Sequence, residues 1–197
     1  MIHPHTEVRF ISEEIGYGVV AKQLIPAGTI TWVLDQLDRE FTPAQYEQMD
    51  FVYKEILDTY TFRNNKGNMI LCWDIGRFVN HSFNSNCLTT AYDFEIAIRD
   101  IQPGEQLTDD YGYLNISEPF EAMNEGTDRK MVYPDDLTRY HEVWDEQIKT
   151  VFHKIPELDQ PMKFLLPESL WTKVEHIAAG REQMASILTN YFDPEKA

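Results

Sequence analysis

The sequence contains few cysteines. Among its 197 residues, only Cys72 and Cys87 are cysteines. Two thiols cannot build a disulfide framework, and they are too few for the usual structural zinc sites. We therefore interpret both as buried thiols in a reducing compartment and predict neither a disulfide framework nor a bound metal.

Basic residues are also scarce. The chain has 17 Lys and Arg residues against 33 Asp and Glu residues, which gives a formal net charge of −16 at pH 7. Clustered Lys and Arg are needed to contact phosphates, so the composition argues against direct nucleic-acid binding. An acidic surface attracts basic partners such as lysine-rich peptides, although the same acidity also serves solubility alone.

Long apolar runs are missing as well. No stretch approaches the roughly 18 apolar residues of a membrane span, although 43% of the residues are hydrophobic, enough for a core. The N-terminal stretch MIHPHTEVRF has neither the basic flank nor the apolar run of a secretory signal. The sequence thus predicts a soluble intracellular protein, cytoplasmic or nuclear, without a membrane partner.

Short β-rich segments precede helical patterns along the chain. Strands are predicted at Val8–Ile11, Val19–Lys22, Thr29–Leu34, Met69–Trp73, Leu88–Tyr92 and Glu95–Arg99. Helices are predicted from Thr42 to Tyr60, at Asp136–Phe152 and at Glu168–Tyr191, with Gly180 as a candidate break in the last. The polar segment Ser117–Asp135 is predicted to be a loop. This order indicates an α+β or mostly β core with a C-terminal helical cap.

Three short motifs carry residues suited to chemistry. Gly16-Tyr17-Gly18 lets the backbone approach a ligand closely, but it lacks the third glycine and the following helix of a dinucleotide site. Residues 77–87 include Asn80-His81, adjacent groups that can hydrogen-bond a cofactor, and residues 105–113 place two tyrosines around a glycine. Each motif alone is more typical of an ordinary turn or loop.

In this order and spacing, the three motifs resemble the signature of the SET domain, a family of protein lysine methyltransferases. The matching pattern is Gly-x-Gly, then Arg-Phe-x-Asn-His-Ser…Asn-Cys, then Glu-x-Leu-Thr-x-Asp-Tyr-Gly, and it covers residues 6–114. The resemblance implies a mostly β, α+β fold in which small β-sheets surround a knot-like core. Residues 1–116 would form the catalytic domain, with an inserted helical segment at about 36–66, and residues 117–197 would form a helical region packed on it.

The resemblance also implies a site for S-adenosylmethionine. Its cofactor-binding residues would be Gly16, Tyr17, Gly18, Asn80, His81 and Tyr111. Tyr111 matches the tyrosine at the family's methyl-transfer site, which makes it the predicted catalytic residue. Tyr111 and Tyr113 would wall a narrow channel for the substrate lysine, and the implied chemistry uses no metal.

That chemistry is methyl transfer to a side-chain amine. A lysine amine has a reference pKa of about 10.4, so it is mostly protonated and not nucleophilic at neutral pH. Burial in an apolar channel beside a sulfonium cation lowers that pKa, and the neutral amine then attacks the methyl carbon in line. The Tyr111 hydroxyl and main-chain carbonyls would orient the methyl group through weak C–H···O contacts.

The sequence departs from the family pattern in two places. Many members carry a cysteine-rich, zinc-binding tail after the last motif, whereas this chain has no cysteine after Cys87. The C-terminal region must then close the pocket by packing, and its aromatic residues Phe120, Tyr133 and Trp144 are candidates. Asp109 stands where members often have an aromatic residue that limits the number of methyl groups added, so the degree of methylation stays open.

Two alternative functions compete with this interpretation. A non-catalytic SET-like module would bind lysine-rich peptides, but it would not need the cofactor motifs. A hydrolase built on His81 with Cys87 or Ser82 lacks an identifiable base-orienting partner and an oxyanion motif. The predicted partner of the favoured enzyme is a lysine-containing basic protein, a histone or another, and the C-terminal helices are candidates for a homodimer contact.

Overall fold

Short strands and a few helices make up residues 1–194, the part of the chain described by the computed structural model. The strands are β1 (Thr6–Ser12), β2 (Gly16–Ala21), β3 (Ile30–Val33), β4 (Arg39–Phe41), β5 (Thr61–Arg63), β6 (Met69–Leu71), β7 (Asn80–His81), β8 (Cys87–Thr89), β9 (Phe94–Ala97), β10 (Thr108–Asp109), β11 (Phe120–Glu121) and β12 (Met131–Val132). The α-helices are α1 (Pro43–Glu47), α2 (Phe51–Tyr60), α3 (Asp136–Phe152) and α4 (Glu168–Ala178). Short 3-10 helices cover Ile75–Phe78, Tyr111–Tyr113, Ile155–Glu157, Lys163–Leu165 and Ile187–Asn190.

The strands form several small sheets. β1 and β2 make an antiparallel hairpin, and the orders β3-β9-β8 and β4-β6-β5 describe two antiparallel three-stranded sheets. Because side chains alternate along a strand, β9 serves two apolar clusters: Phe94 and Ile96 pack toward the helices, whereas Ala97 packs with Trp32 on the other side. Small antiparallel sheets accompanied by helices confirm the predicted α+β, SET-type fold.

The inserted helical segment begins where the sequence predicts. The Thr42 hydroxyl accepts a hydrogen bond from the Gln45 backbone, and the Gln45 side chain accepts one from the Thr42 backbone, which is a capping box. The single helix predicted to run to Tyr60 is wrong, because the chain is extended at Asp50 and α2 starts afresh after it. The break folds α1 back on α2, so that the Tyr46 hydroxyl donates to the Asp58 carboxylate at 2.8 Å.

The C-terminal helices pack on the sheet that contains β9. Helix α3 has the predicted bounds, and its Trp144, Ile148 and Val151 lie in one apolar cluster with Phe94. Those apolar positions are therefore covered within one chain, and the homodimer contact stays a prediction. Within residues 1–194, no helix is long and apolar enough to cross a bilayer.

The predicted last helix is too long. Helix α4 ends at Ala178, and Gly180 follows with a φ of +68°, a left-handed conformation that stops a helix and favours glycine. The chain then runs without helix to Ile187, whose backbone N–H donates to the Asp145 carboxylate of α3 at 2.8 Å. The final 3-10 helix thus packs on α3 instead of extending α4.

The polar segment that was predicted to be a loop contains a hairpin. Strands β11 and β12 pair antiparallel with Phe120 opposite Val132. Val132 is fully buried and Phe120 is partly buried, while the residues between the strands are mostly exposed. The loop prediction was wrong because each strand has only two residues, and the polar residues around Phe120 and Val132 hide the strand pattern in the sequence.

Candidate active site

Parallel pairing of β7 with β10 brings the second and third motifs together. Asn80 lies opposite Thr108 and His81 lies opposite Asp109. Asn86 fastens the same two segments, because its side chain donates to the Gln106 carbonyl at 2.7 Å and accepts from the Thr108 backbone at 2.9 Å. Two motifs that lie apart in the sequence therefore form one surface.

The glycine-containing motif joins this surface through Asn80. The Asn80 side-chain amide donates to the Tyr17 carbonyl at 3.1 Å and to the Gln106 side chain at 3.0 Å. A Cβ atom on Gly18 would lie 2.4 Å from the Gln106 side-chain oxygen and 2.8 Å from the Asn80 side-chain nitrogen. The Gln106 and Asn80 side chains come so close to the backbone here that glycine is the residue that fits.

His81 links the surface to Tyr111. Its Nδ1 accepts a hydrogen bond from the Tyr111 backbone N–H at 3.1 Å, and aromatic rings of Phe83, Phe120 and Tyr111 surround the imidazole. Burial lowers the pKa of His81, against the opposing charge of Asp110. The neutral ring then carries its hydrogen on Nε2, a buried atom that has no partner among the described residues.

Tyr111 stands in the wall of a cavity of about 600 Å³. Its hydroxyl donates to the Val79 carbonyl at 2.7 Å, which fixes the phenol. Burial, and then the negative charges of Asp109 and Glu95, raise the pKa of Tyr111, so the hydroxyl stays neutral at physiological pH. Tyr111 is thus a positioned donor and acceptor and not a base.

Several parts of the chain enclose this cavity. The lining residues from the sheets include Trp32, Glu95 and Asp109; those from the inserted segment include Tyr46 and residues 58–63; and those after the third motif include Leu114, Glu118 and Phe120. Of the three aromatic candidates for closing the pocket, Phe120 therefore reaches it. Tyr133 is exposed under the Arg139 guanidinium, and Trp144 is in the core.

Tyr113 is placed away from the cavity. It is 1% exposed and packs edge-on against Trp144 at 5.3 Å between ring centroids, with its hydroxyl 3.4 Å from the Cys87 carbonyl. The lining residues of the cavity do not include it. Because residues 111–113 form one 3-10 turn, the two tyrosines point in different directions, and the geometry does not support Tyr113 as a channel wall.

Two buried carboxyl groups beside Tyr111 were not predicted as site residues. Glu95 is 9% exposed and Asp109 is 5% exposed, both line the cavity, and the two carboxyls lie within hydrogen-bonding reach of each other. Burial raises the pKa of Asp109 to about 7, and burial followed by the charge of Asp109 raises that of Glu95 well above its usual value. The sequence signal was a glutamate inside the apolar strand Phe94–Ala97.

The cysteines and Ser82 do not form a hydrolase centre. Cys87 is fully buried and burial raises the pKa of its thiol, so a thiolate is disfavoured. The Ser82 hydroxyl donates to Glu125 at 3.1 Å, and neither Ser82 nor Cys87 hydrogen-bonds the His81 ring. Both cysteines are free, and the described residues contain no group of three or more His, Cys, Asp or Glu side chains suited to a metal ion.

Comparison with known proteins matches this arrangement. Residues 16–112, which contain all three motifs, match the family model of the SET domain. This match confirms the resemblance to the SET-domain family found in the motifs. It is also 27% identical over 117 residues to the histone-lysine N-methyltransferase Set2 of Drosophila melanogaster. That match covers 53% of this chain and 5% of the Drosophila protein.

Proposed function

We propose that this protein is a methyltransferase that moves a methyl group from S-adenosylmethionine to the side-chain amine of a lysine in a protein. The observation that carries the proposal is the position of Tyr111, in the wall of a cavity and hydrogen-bonded to His81 of the neighbouring motif. The match to the SET-domain family model and the named activity of the Drosophila relative support it.

S-adenosylmethionine, when bound, supplies a methyl group activated on a sulfonium sulfur. Gly16, Tyr17, Gly18, Asn80 and His81 would hold it, together with the catalytic tyrosine. These residues fit such a ligand, because the buried Nε2 of His81 is a donor without a protein partner. A Cβ atom on Gly16 would meet nothing within 4 Å, so the backbone there is open to a ligand.

Tyr111 would orient the reacting groups. Its O–H is committed to the Val79 carbonyl, so the lone pairs of its oxygen are left to accept weak C–H···O contacts. Phe120 and Trp32, which line the same cavity, would exclude water from it. Catalysis in this proposal is positioning and desolvation, with no metal involved.

The substrate class follows from charge and shape. Buried acidic groups line the cavity, and a chain with a net charge of −16 attracts basic partners over a distance. Both features suit the cationic end of a lysine side chain on a basic protein. A histone is the substrate class in the name of the Drosophila relative, and a basic protein of any kind fits the same features.

Calorimetric titration with S-adenosylmethionine tests the cofactor part of the proposal. Asn80→Ala should weaken binding by about tenfold, because the amide that fixes the Tyr17 carbonyl is lost. Asn84→Ala, an exposed change in the same motif, should bind like the wild type. If the wild type fails to bind the cofactor with or without a lysine-rich peptide, the non-catalytic peptide-binding module becomes the better account.

A further inference from the structure

The buried carboxyl groups of Glu95 and Asp109 lack a buried counter-charge. Arg63 and Arg77 also line the cavity, but Arg77 is exposed and Arg63 is only partly buried. Two neighbouring buried carboxyls do not readily ionise together, and a shared proton leaves one negative charge between them. The N-terminal ammonium also acts on Glu95, but it is committed to an ion pair with Asp35 at 2.9 Å.

Two polar atoms in the cavity wall also have no partner. Asp109 Oδ1 has no hydrogen-bond donor in ordinary bonding geometry, although the residue is only 5% exposed and its carboxyl lies near the Tyr113 hydroxyl and the Glu95 carboxyl. Trp32, which is 5% exposed and pairs with Glu95 in the sheet, has an unpartnered indole N–H. Buried polar groups are usually hydrogen-bonded, so an unmatched acceptor and donor in one cavity wall indicate a polar ligand.

Other titratable groups approach the pair from each element packed on it. They are the Tyr111 and Tyr113 hydroxyls, the Cys72 and Cys87 thiols, the Asp110 carboxylate and the N-terminal ammonium. The tyrosines and cysteines have raised pKa values and remain neutral near pH 7. These four groups therefore do not change charge near pH 7, whereas Asp109, with a pKa of about 7, does.

We propose that Glu95 and Asp109 receive the ammonium group of the incoming substrate amine and that Asp109 Oδ1 takes its proton. An N–H bond breaks, an O–H bond forms on Asp109, and the nitrogen keeps the electron pair. The ammonium becomes a neutral amine and the carboxylate becomes a neutral acid, so atoms and charge balance. The inference rests on the proposed function for the identity of the amine as a lysine side chain.

The protonation of the pair suits this role. A base works best when its pKa is near the working pH, and Asp109 has a pKa of about 7. Burial also raises the pKa of Glu95 well above its usual value, so Glu95 keeps its proton and can donate it in a hydrogen bond to Asp109. The pair thus presents one ionised oxygen to a cation and neutralises itself when the proton arrives.

A small probe tests the pair without any knowledge of the substrate. n-Butylammonium copies the end of a lysine side chain, and n-butanol is its neutral counterpart of the same length. In calorimetric titrations without cofactor, the wild type should bind n-butylammonium about tenfold more tightly than n-butanol. Asp109→Asn should lose this preference, whereas Glu55→Gln, which removes an exposed charge outside the cavity, should keep it.

The pH dependence of the wild type gives a test that does not rely on a variant folding. The probe stays protonated from about pH 8 to about pH 6, while Asp109, with a pKa of about 7, gains a proton. Affinity for n-butylammonium should therefore fall about tenfold over this range, and affinity for n-butanol should not change.

The outcomes separate the two proposals. A preference for n-butylammonium that is independent of pH, or that survives Asp109→Asn, would mean that the pair is structural only and would overturn the inference. Failure to bind S-adenosylmethionine would instead count against the proposed function, because the probe titrations contain no cofactor.

Discussion

Asp109 and Asp110 are neighbours in the sequence, but they lie in opposite environments. Asp110 forms an ion pair with the Arg129 guanidinium, which also bonds Asp136 at 2.7 Å. Asp109 has no cation and shares the cavity wall with Glu95. Successive side chains of an extended segment point to opposite faces. The Asp110 carboxylate therefore points to Arg129, and the Asp109 carboxylate points to the candidate site.

The two groups of acidic residues differ in whether a cation compensates them. This difference distinguishes a structural role for Asp110 and Asp136 from a functional role for Glu95 and Asp109. Arg129 is held by two carboxylates and stacks on Tyr140 at 4.3 Å and Phe83 at 4.4 Å, so its charge is compensated and its faces are packed. The pair at the cavity has no such compensation and lowers stability when it ionises. A protein keeps such an arrangement where function requires it.

Removing the Arg129 guanidinium should leave Asp110 and Asp136 without their cation, which is the situation of Glu95 and Asp109. Arg129→Met keeps an apolar stem but leaves Asp110 and Asp136 buried without their partner. We expect a loss of about 3 to 5 kcal/mol in the free energy of unfolding, measured by urea denaturation. Arg129→Lys, which keeps the charge but not the fork, should lose less; equal stability of Arg129→Met and the wild type would refute the structural role.

A change at the catalytic position should sharpen the contrast, because it should spare the fold. Tyr111→Phe removes the hydroxyl that contacts the Val79 carbonyl in the cavity wall. Methyl transfer should fall by about a hundredfold, while binding of S-adenosylmethionine should change less than about threefold. Single-turnover kinetics and calorimetry measure the two effects, and an unchanged rate would remove Tyr111 from its role.

Removing the negative charge of the Glu95–Asp109 pair should stabilise the protein in a pH-dependent way. The folded pKa of Asp109, about 7, lies above the ordinary value of 3.8, so the folded state favours the protonated acid. Its contribution to stability is therefore present below about pH 4 and is lost as the pH rises through about 7.

Asp109→Asn cannot ionise, so its gain in the free energy of unfolding should be about 2 to 3 kcal/mol larger at pH 8 than at pH 5. Urea denaturation at both values measures this difference. Glu55→Gln serves as the control for an exposed charge. The opposite pH dependence, with the larger gain at pH 5, is the result that would contradict the assignment.

The smallest expected effect concerns the glycine-containing motif. Gly18→Ala pushes a methyl group toward the ends of the Asn80 and Gln106 side chains, which must move aside. Cofactor affinity should fall about fivefold, and the thermal midpoint should change by only a few degrees. Gly104→Ala tests backbone strain alone, because a Cβ there meets nothing within 4 Å and φ is +86°; it should leave cofactor affinity unchanged.

Local signals in the sequence predicted the local structure well. The Thr42 capping box and the bounds of Asp136–Phe152 depend on residues a few positions apart, and both are present. The pairing of Asn80 with Thr108 was not predicted, because no local signal links two segments so far apart; the family resemblance implied only a knot-like core. The end of the last helix was missed because Gly180 was treated as an interruption and not as a stop.

Side-chain direction was the part that the sequence did not determine. Tyr111 and Tyr113 look equivalent around Gly112, yet one lines the cavity and the other is in the core. Glu95 and Asp109 meet only because the tertiary fold brings their two segments to one cavity wall. Arg129 was overlooked because it lies in a polar segment, where nothing local shows that it reaches Asp110.

Mass spectrometry of a lysine-rich protein substrate tests the central claim most directly. Core histones or a mixture of basic peptides would be incubated with S-adenosylmethionine and either the wild type or Tyr111→Phe. The account predicts the mass increase of one or more methyl groups on lysine with the wild type and almost none with the variant. Methylation that is equal in both proteins would contradict the role of Tyr111, and a wild type that binds the cofactor but methylates no lysine in a broad set of basic proteins would contradict the proposed activity.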